Sequence, residues 1–179
     1  MIKTTLLSIL GLLVLAVAVV AAIASQRPDT FRVARSTTIA APAEKIFPMI
    51  NGTQAFNVWN PYSKRDPAMT GTYKGPASGP GGIYEFQSKK AGSGSFEVTR
   101  ATAPTQVGMR LDMTAPFEGH NQILFTLAPR GPATEVTWAM EGPAPFLSKF
   151  MGVIFNMDKM IGTDFEAGLA DLKANAEKT

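Results

Sequence analysis

Residues 122–141 read "QILFTLAPRGPATEVTWAME". Two stretches of alternating apolar and polar residues flank a Pro-Arg-Gly-Pro turn. Ile123, Phe125 and Leu127 share one phase, and Val136, Trp138 and Met140 share the matching phase across the turn. Side chains point to opposite faces of a strand in succession, so each run buries one side. Two such runs joined by a short turn make an antiparallel hairpin. The pattern recurs upstream. Val107, Met109, Leu111 and Met113 alternate with Gly108, Arg110, Asp112 and Thr114. Tyr84 and Phe86 flank Glu85, and Phe96 and Val98 flank Glu97. The segments "KKAGSG" and "APFEG", together with Pro104, supply the turns. Five strands are therefore expected over 83–87, 93–101, 107–114, 118–128 and 133–141, paired as an antiparallel meander.

The flanks complete the outline. Residues 31–39, "FRVARSTTI", read as a strand. "APAEKIFPMI" (41–50) predicts a short helix with Pro42 in its first turn and Pro48 limiting its length. "TQAFNVWN" (53–60) predicts a second, capped by Thr53 and stopped by Pro61. A Gly/Pro-rich stretch runs from Pro61 to Gly82, with a short strand at 69–74. After Gly142-Pro143-Ala144-Pro145, one apolar stripe (Phe146, Phe150, Val153, Met157, Ile161, Phe165, Leu169, Leu172, Ala176) steps by three or four. One straight helix of that length would span about 50 Å at 1.5 Å per residue, overshooting a small sheet. A break at 156–158 is expected, with Asp158 capping the longer, second helix. The fold class is α+β, with neither internal repeat nor second domain.

Residues 5–24, "TLLSILGLLVLAVAVVAAIA", carry no charge. Roughly 20 apolar residues cross a bilayer core as a helix. Lys3 precedes them, which keeps the N-terminus cytoplasmic and sends the remainder across. Two readings stay open: an uncleaved anchor, or a signal peptide cut near Ala22-Ile23-Ala24. Both place the domain on the extracytoplasmic, periplasm-like side, either membrane-anchored or secreted. The expected organisation is a membrane segment (1–24), a linker (25–30) and a folded domain (31–179).

Composition and phase exclude several chemistries. The net charge of +3 carries no run of Lys/Arg with interleaved aromatics, so a nucleic-acid partner is not expected. The chain has no cysteine and one histidine, so thiolate chemistry, disulfides and a His-based metal site are not expected. No Gly-x-Ser-x-Gly elbow is present. "GPASGPGG" (75–82) lacks the Lys-Ser/Thr of a phosphate loop. The inner face of the five strands carries no carboxylate, and Arg100, at a strand end, is the only charge in apolar phase. General acid–base catalysis needs a titratable group within reach of substrate, and the phase offers none. No catalytic, metal or cofactor-binding residue is therefore assigned. What the inner face offers is an apolar pocket against the helix. Its expected lining is Trp59, Tyr84, Phe86, Met109, Met113, Phe125, Trp138, Met140, Phe150 and Met157. Met adapts its shape to varied apolar ligands. Trp59 and Tyr62 would form the rim, with the Gly/Pro run as a flap.

Four pieces carry a resemblance: "VARSTTIAAPAEKIFPMI", "NVWNPYSKRDPAMTGTYKGPASGPGGIYEF", "VTWAMEGPAPF" and "MGVIFNMDKMIGTDFEAGLADLK". They resemble the START/polyketide-cyclase superfamily, often called SRPBCC, across the whole segment from Phe31 onward. The resemblance implies the helix-grip fold: a curved seven-stranded antiparallel sheet around a long C-terminal helix, with two short helices after the first strand. Members enclose an apolar cavity and bind lipids, sterols, polyketides or other hydrophobic molecules, and some are enzymes. No cyclase acid or base maps onto a numbered residue here, and cytoplasmic cyclases lack the N-terminal apolar segment. The expected function is an exported, membrane-anchored domain binding a hydrophobic small molecule or lipid. One alternative is a cyclase- or dehydratase-like enzyme using Arg100, Tyr84, Tyr62 or His120 at the pocket mouth. Another is an envelope protein-interaction domain presenting Phe117, Phe146 or Tyr62.

Overall fold

The alternating stretches become seven antiparallel strands. In the computed structural model, which describes residues 2–178 without the side chains of 2–4, they are β1 (Thr30–Ile39), β2 (Thr70–Lys74), β3 (Ile83–Ser88), β4 (Gly92–Thr102), β5 (Gln106–Ala115), β6 (Gly119–Arg130) and β7 (Ala133–Pro143). The Lys3 side chain, on which the orientation argument rests, lies outside the described side chains. The helices are α1 (Ile2–Ser25), α2 (Ala43–Ile50), α3 (Thr53–Trp59), α4 (Pro61–Arg65), α5 (Phe146–Ile154) and α6 (Met157–Ala176). The chain divides into two compact units: Met1–Phe31 with Pro143–Met157, and Arg32–Gly142 with Asp158–Thr179.

The larger unit is the sheet with α2, α3, α4 and α6. Strand order is β1-β7-β6-β5-β4-β3-β2. Six strands follow one another in sequence, and β1 returns to pair beside β7. The register aligns the apolar phases across strands. Val98, Met109, Ile123 and Met140 form one inward row. Tyr84, Phe96, Leu111 and Asn121 form the next.

Three local differences from the sequence reading have simple causes. Pro61 ends α3 and also starts α4, because its fixed φ suits a first helical position and its missing N–H is not needed there. Asn60 caps that helix by accepting from the Tyr62 N–H at 3.2 Å. Thr53 is the first helical residue of α3 rather than its cap, which is Gly52. The helical break falls as expected between Ile154 and Met157, but Asp158 lies inside α6, where its carboxylate is taken by Arg35 at 3.0 Å.

That ion pair belongs to a clamp unread in the sequence. Arg35 shares the inward phase of β1 with Val33 and Ile39. Its guanidinium lies across α6, bonding Glu166 at 2.8 Å as well as Asp158 and the Asp158 carbonyl. Gly162 makes room: a Cβ there would clash with the Arg35 guanidinium. The buried side of α6 is Gly162, Phe165, Gly168, Leu169, Leu172 and Ala176. Two of its contact positions are thus glycines, which an apolar-stripe reading passes over.

The Gly/Pro stretch is stitched down. Gly79 N–H donates to the Asn51 carbonyl, Gly81 N–H to Val98, and Val98 N–H to Gly82, all within 2.8–2.9 Å. Gly79 and Gly81 hold φ of +83° and +88°, a region open to glycine without strain.

The smaller unit pairs α1 with α5, which pack together. The Arg27 guanidinium donates to the Gly152 carbonyl at 2.7 Å, Asp29 takes the Lys149 ammonium, and the Ala144 N–H donates to the Asp29 carbonyl. α1 contains a 21-residue apolar segment, Thr5–Ser25, long enough to cross a bilayer.

Candidate functional site: the aromatic inner face

The sheet's inner face is built from the rows described above and closed by α3 and α6. Trp59 is buried at the end of α3, and its indole N–H donates to the Met49 carbonyl at 2.9 Å, tying α3 to α2. Phe56, one turn earlier, meets Trp59 edge-on at 4.8 Å and Phe96 at 5.1 Å. Trp59 stands 5.6 Å from Trp138 and 5.8 Å from Phe125, again edge to face. Phe165 of α6 stacks on Trp138 at 4.1 Å and 9°. Gly168 lets α6 come this close: a Cβ there would lie 2.8 Å from the Trp138 ring and 2.9 Å from Pro61. Edge-to-face and offset contacts of this kind add about 0.5–1.5 kcal/mol each beyond area burial.

One polar group inside this cluster is unmatched. Trp138 is 1% exposed, and its indole N–H has no acceptor among the described residues. Leaving a buried donor unpaired costs about 1–3 kcal/mol.

Eight of the ten expected lining residues fall within the larger unit. Trp59, Phe125 and Trp138 are in the aromatic cluster, with Met109 and Met140 in the neighbouring inward row. Tyr84 and Phe86 stand beside them on β3, and Tyr84 stacks on Tyr73 of the edge strand at 4.5 Å. Burial raises the Tyr84 phenol's pKa, and Tyr73 adds to the rise. Met113 is half-buried on β5. Phe86 borders an open hollow of about 460 Å³ beside β2 that Thr70, Thr72, Glu85 and Ser95 also line. Phe150 of α5 and Met157 fall in the smaller unit.

The charged groups stand elsewhere. Arg100 shares no face with the aromatics. A bulge between Val98 and Arg100 inserts Thr99, so Val98 pairs with inward Met109 while Arg100 pairs with Gly108 and is exposed. The strand-end charge that the sequence put in apolar phase is thereby turned outward. His120 is 62% exposed on the outer face. Its Nδ1 meets Asp112 at 2.7 Å across the β5–β6 pair, and Arg110 binds both Asp112 and Glu97. The hydrogen bond to Asp112 raises the His120 pKa and lowers that of Asp112. Tyr62 sits on α4 with Arg65 over its ring at 5.5 Å. Burial and the neighbouring Asp164 push its phenol well above the ordinary range. Arg100 and His120 thus stand on the exposed side of the sheet, Tyr84 is buried on β3, and Tyr62 is on α4. Asp66 is buried and accepts from Ser88 Oγ at 2.6 Å and Ala68 N–H at 3.1 Å. The Ser88 bond chiefly holds its carboxyl below the usual range.

Two residues of the inner region were not read from the sequence. Phe56 lies three residues before Trp59, a spacing that puts both on one side of the helix. Arg35 carried a visible signal, the alternation Phe31, Val33, Arg35, Thr37, Ile39, which shows a cation in a buried phase.

Comparison with known proteins agrees with this architecture. A protein of Chromobacterium violaceum has a similar structure, at TM-score 0.60 and 17% identity, over 86% of this chain and all of its own. The Aha1 dimer from Colwellia psychrerythraea follows at TM-score 0.57 and 19% identity, over 82% of this chain and 96% of its own. The di-domain ARO/CYC BexL from the BE-7585A biosynthetic pathway matches at TM-score 0.59 and 12% identity, over 88% of this chain and 53% of its own. At these identities the likeness concerns the fold. No curated protein matches significantly in sequence. The family model described as "Polyketide cyclase / dehydrase and lipid transport" matches residues 30–177. That match spans every strand of the sheet and all of α6, so the chain belongs to this polyketide cyclase / dehydrase and lipid transport family, an SRPBCC-type ligand-binding domain.

Proposed function

We propose that this domain binds a hydrophobic small molecule or lipid between the sheet and α6, held at a membrane by α1. The ligand would rest against Trp59, Tyr84, Phe86, Met109, Met113, Phe125, Trp138 and Met140. The observation that carries the reading is the Trp138 indole N–H, buried among rings without an acceptor. A carbonyl or hydroxyl on an otherwise apolar ligand supplies that acceptor and removes the cost of the unpaired donor. The walls are mostly buried already, so the binding gain comes from the ligand's own apolar surface leaving water, at about 25 cal/mol per Å². The adaptable side chains of Met109, Met113 and Met140 fit a ligand of variable shape better than one of fixed shape.

The anchor reading rests on α1. Its apolar window is 0% buried inside the protein, which a core helix would not tolerate. An uncleaved α1 keeps the domain within reach of a bilayer, where apolar ligands concentrate, and Lys3 sets the domain on the extracytoplasmic side.

Native mass spectrometry of the full chain released from nanodiscs tests the binding. The expected spectrum carries an added mass that organic extraction removes. A protein that keeps no lipid, and binds no apolar dye after delipidation, would refute the reading.

A further inference from the structure

α5 is the short apolar helix that accompanies α1 in the smaller unit. Its sequence, "FLSKFMGVI", has a single charge, Lys149, and none of its residues is fully buried. The helix is two-sided. Lys149 pairs with Asp29, and Gly152 offers its carbonyl to Arg27, so this side is turned to the flank of α1. Gly152 is suited to that contact, because a Cβ would stand 3.1 Å from the Arg27 guanidinium. The opposite side carries Leu147, Met151 and Ile154, continued by Phe155. These are 57%, 39%, 56% and 54% exposed.

The position of α5 along α1 fixes its depth. In α1, Val20, Ala21 and Ala24 are the least exposed described residues, on one side of the last two turns. Every described residue before them is exposed. Arg27, just beyond the helix, makes the bond to Gly152. If α1 crosses a bilayer, its last turns lie at one boundary of the hydrocarbon core, and α5 lies beside them. A helix with an apolar face and cations at its border, held at that depth, buries the face at the headgroup–acyl boundary. Lys149 and Arg27 carry those cations, and their alkyl stems allow them to remain at the polar edge.

We infer that α5 is an interfacial helix, with Leu147, Met151, Ile154 and Phe155 seated in the lipid surface beside the α1 span. The inference rests on the anchor reading of α1. It means that the smaller unit grips the membrane at two points, one crossing it and one lying along it.

The chain has no cysteine, so single-cysteine variants carry a label at one site only. Leu147→Cys and Ile154→Cys report on α5, Leu13→Cys on the span, and Lys89→Cys on an exposed turn of the sheet. Each full-length variant is labelled with an environment-sensitive fluorophore. It is then placed in phosphatidylcholine/phosphatidylglycerol vesicles with and without doxyl-labelled lipid. The expected result is blue-shifted emission quenched by the doxyl lipid at 13, 147 and 154, with solvent-like emission at 89. Lipid contact at 13 with solvent-like emission at 147 and 154 overturns the docking of α5 and leaves the anchor standing. Solvent-like emission at 13 removes the anchor, and the docking with it.

Discussion

Replacing Gly168 with alanine should destabilise the protein although alanine is the better helix former. In an exposed helix the change would stabilise by about 1 kcal/mol. Here the new Cβ would stand 2.8 Å from the Trp138 ring and 2.9 Å from Pro61, nearer than van der Waals contact. Neither neighbour yields easily. Trp138 is held by Phe165 at 4.1 Å and by Phe125 at 5.1 Å. Pro61 is the rigid first residue of α4. Overpacking of a dense core costs about 1–3 kcal/mol, and two rigid neighbours put this site at the upper end. The net expectation is a loss of about 2 kcal/mol, or roughly 4–8 °C in Tm for a domain of this size. Thermal unfolding of the full chain in detergent, followed by near-UV circular dichroism, reads it directly. A Gly168→Ala protein as stable as the parent, or more stable, would refute the idea that α6 is seated on Trp138 through this glycine.

Trp138→Phe keeps a buried ring but removes the N–H. It should weaken an acceptor-bearing apolar ligand by about tenfold, from roughly 1.4 kcal/mol of lost hydrogen bond, and leave a pure hydrocarbon dye unaffected. Fluorescence titration of the two ligand types separates the cases, and equal losses for both would count against the proposed contact. Gly162→Ala should behave differently in two backgrounds. With Arg35 present, the Cβ expels the guanidinium and any helix gain is offset. In Arg35→Ala the same change should stabilise by about 1 kcal/mol, and a double-mutant cycle of urea midpoints measures the difference. His120 should titrate above its ordinary value by NMR and return toward it in Asp112→Asn. Because the folded pKa of His120 is raised, its contribution to stability is fully present below the ordinary histidine value and fades as pH rises through the raised one. Asp112, with its pKa lowered, contributes above the ordinary carboxylate range and loses that contribution as pH falls through the lowered value. The urea midpoints of the parent and His120→Ala should therefore differ most in mildly acidic solution and converge in alkaline solution.

The sheet was legible because its strands are two-faced. Ile123, Phe125 and Leu127 against Val136, Trp138 and Met140 leave only one register that buries both sets. Five of the strands, the long C-terminal helix and its break near Asn156 follow from the same phase and length arguments, whereas β1 was read from composition, the exposed β2 carries no phase to read, and the count of seven came from the family resemblance. What escaped the sequence depends on long-range pairing or on residues with no side chain to read. The bulge at Thr99 is invisible until Val98 is set against Met109, and it alone turns Arg100 outward. The Asp112–His120 pair exists because β5 and β6 place them opposite each other, a register fixed by the apolar face behind them. Gly162 and Gly168 interrupt the apolar stripe that suggested α6, yet they are where the helix comes nearest to Arg35 and Trp138. The stripe also ran on through Phe146 and Phe150, since period alone does not say which surface an apolar face will meet.

The sheet's strand order has a consequence for synthesis. β2 to β7 each pair with the strand made just before or just after, so these contacts are local and form quickly. β1 is made first and has no partner until β7 is complete, because everything from Ala43 to Arg130 must emerge in between. Through that interval it is an open strand edge tethered directly to α1, the kind of edge that recruits other chains. Its sequence answers part of this hazard with Arg32 and Arg35, charges that discourage pairing with a neighbour. Arg35 meets Asp158 and Glu166 only when α6 arrives. The residue that guards the nascent strand thus becomes, at the end, the latch that closes the domain.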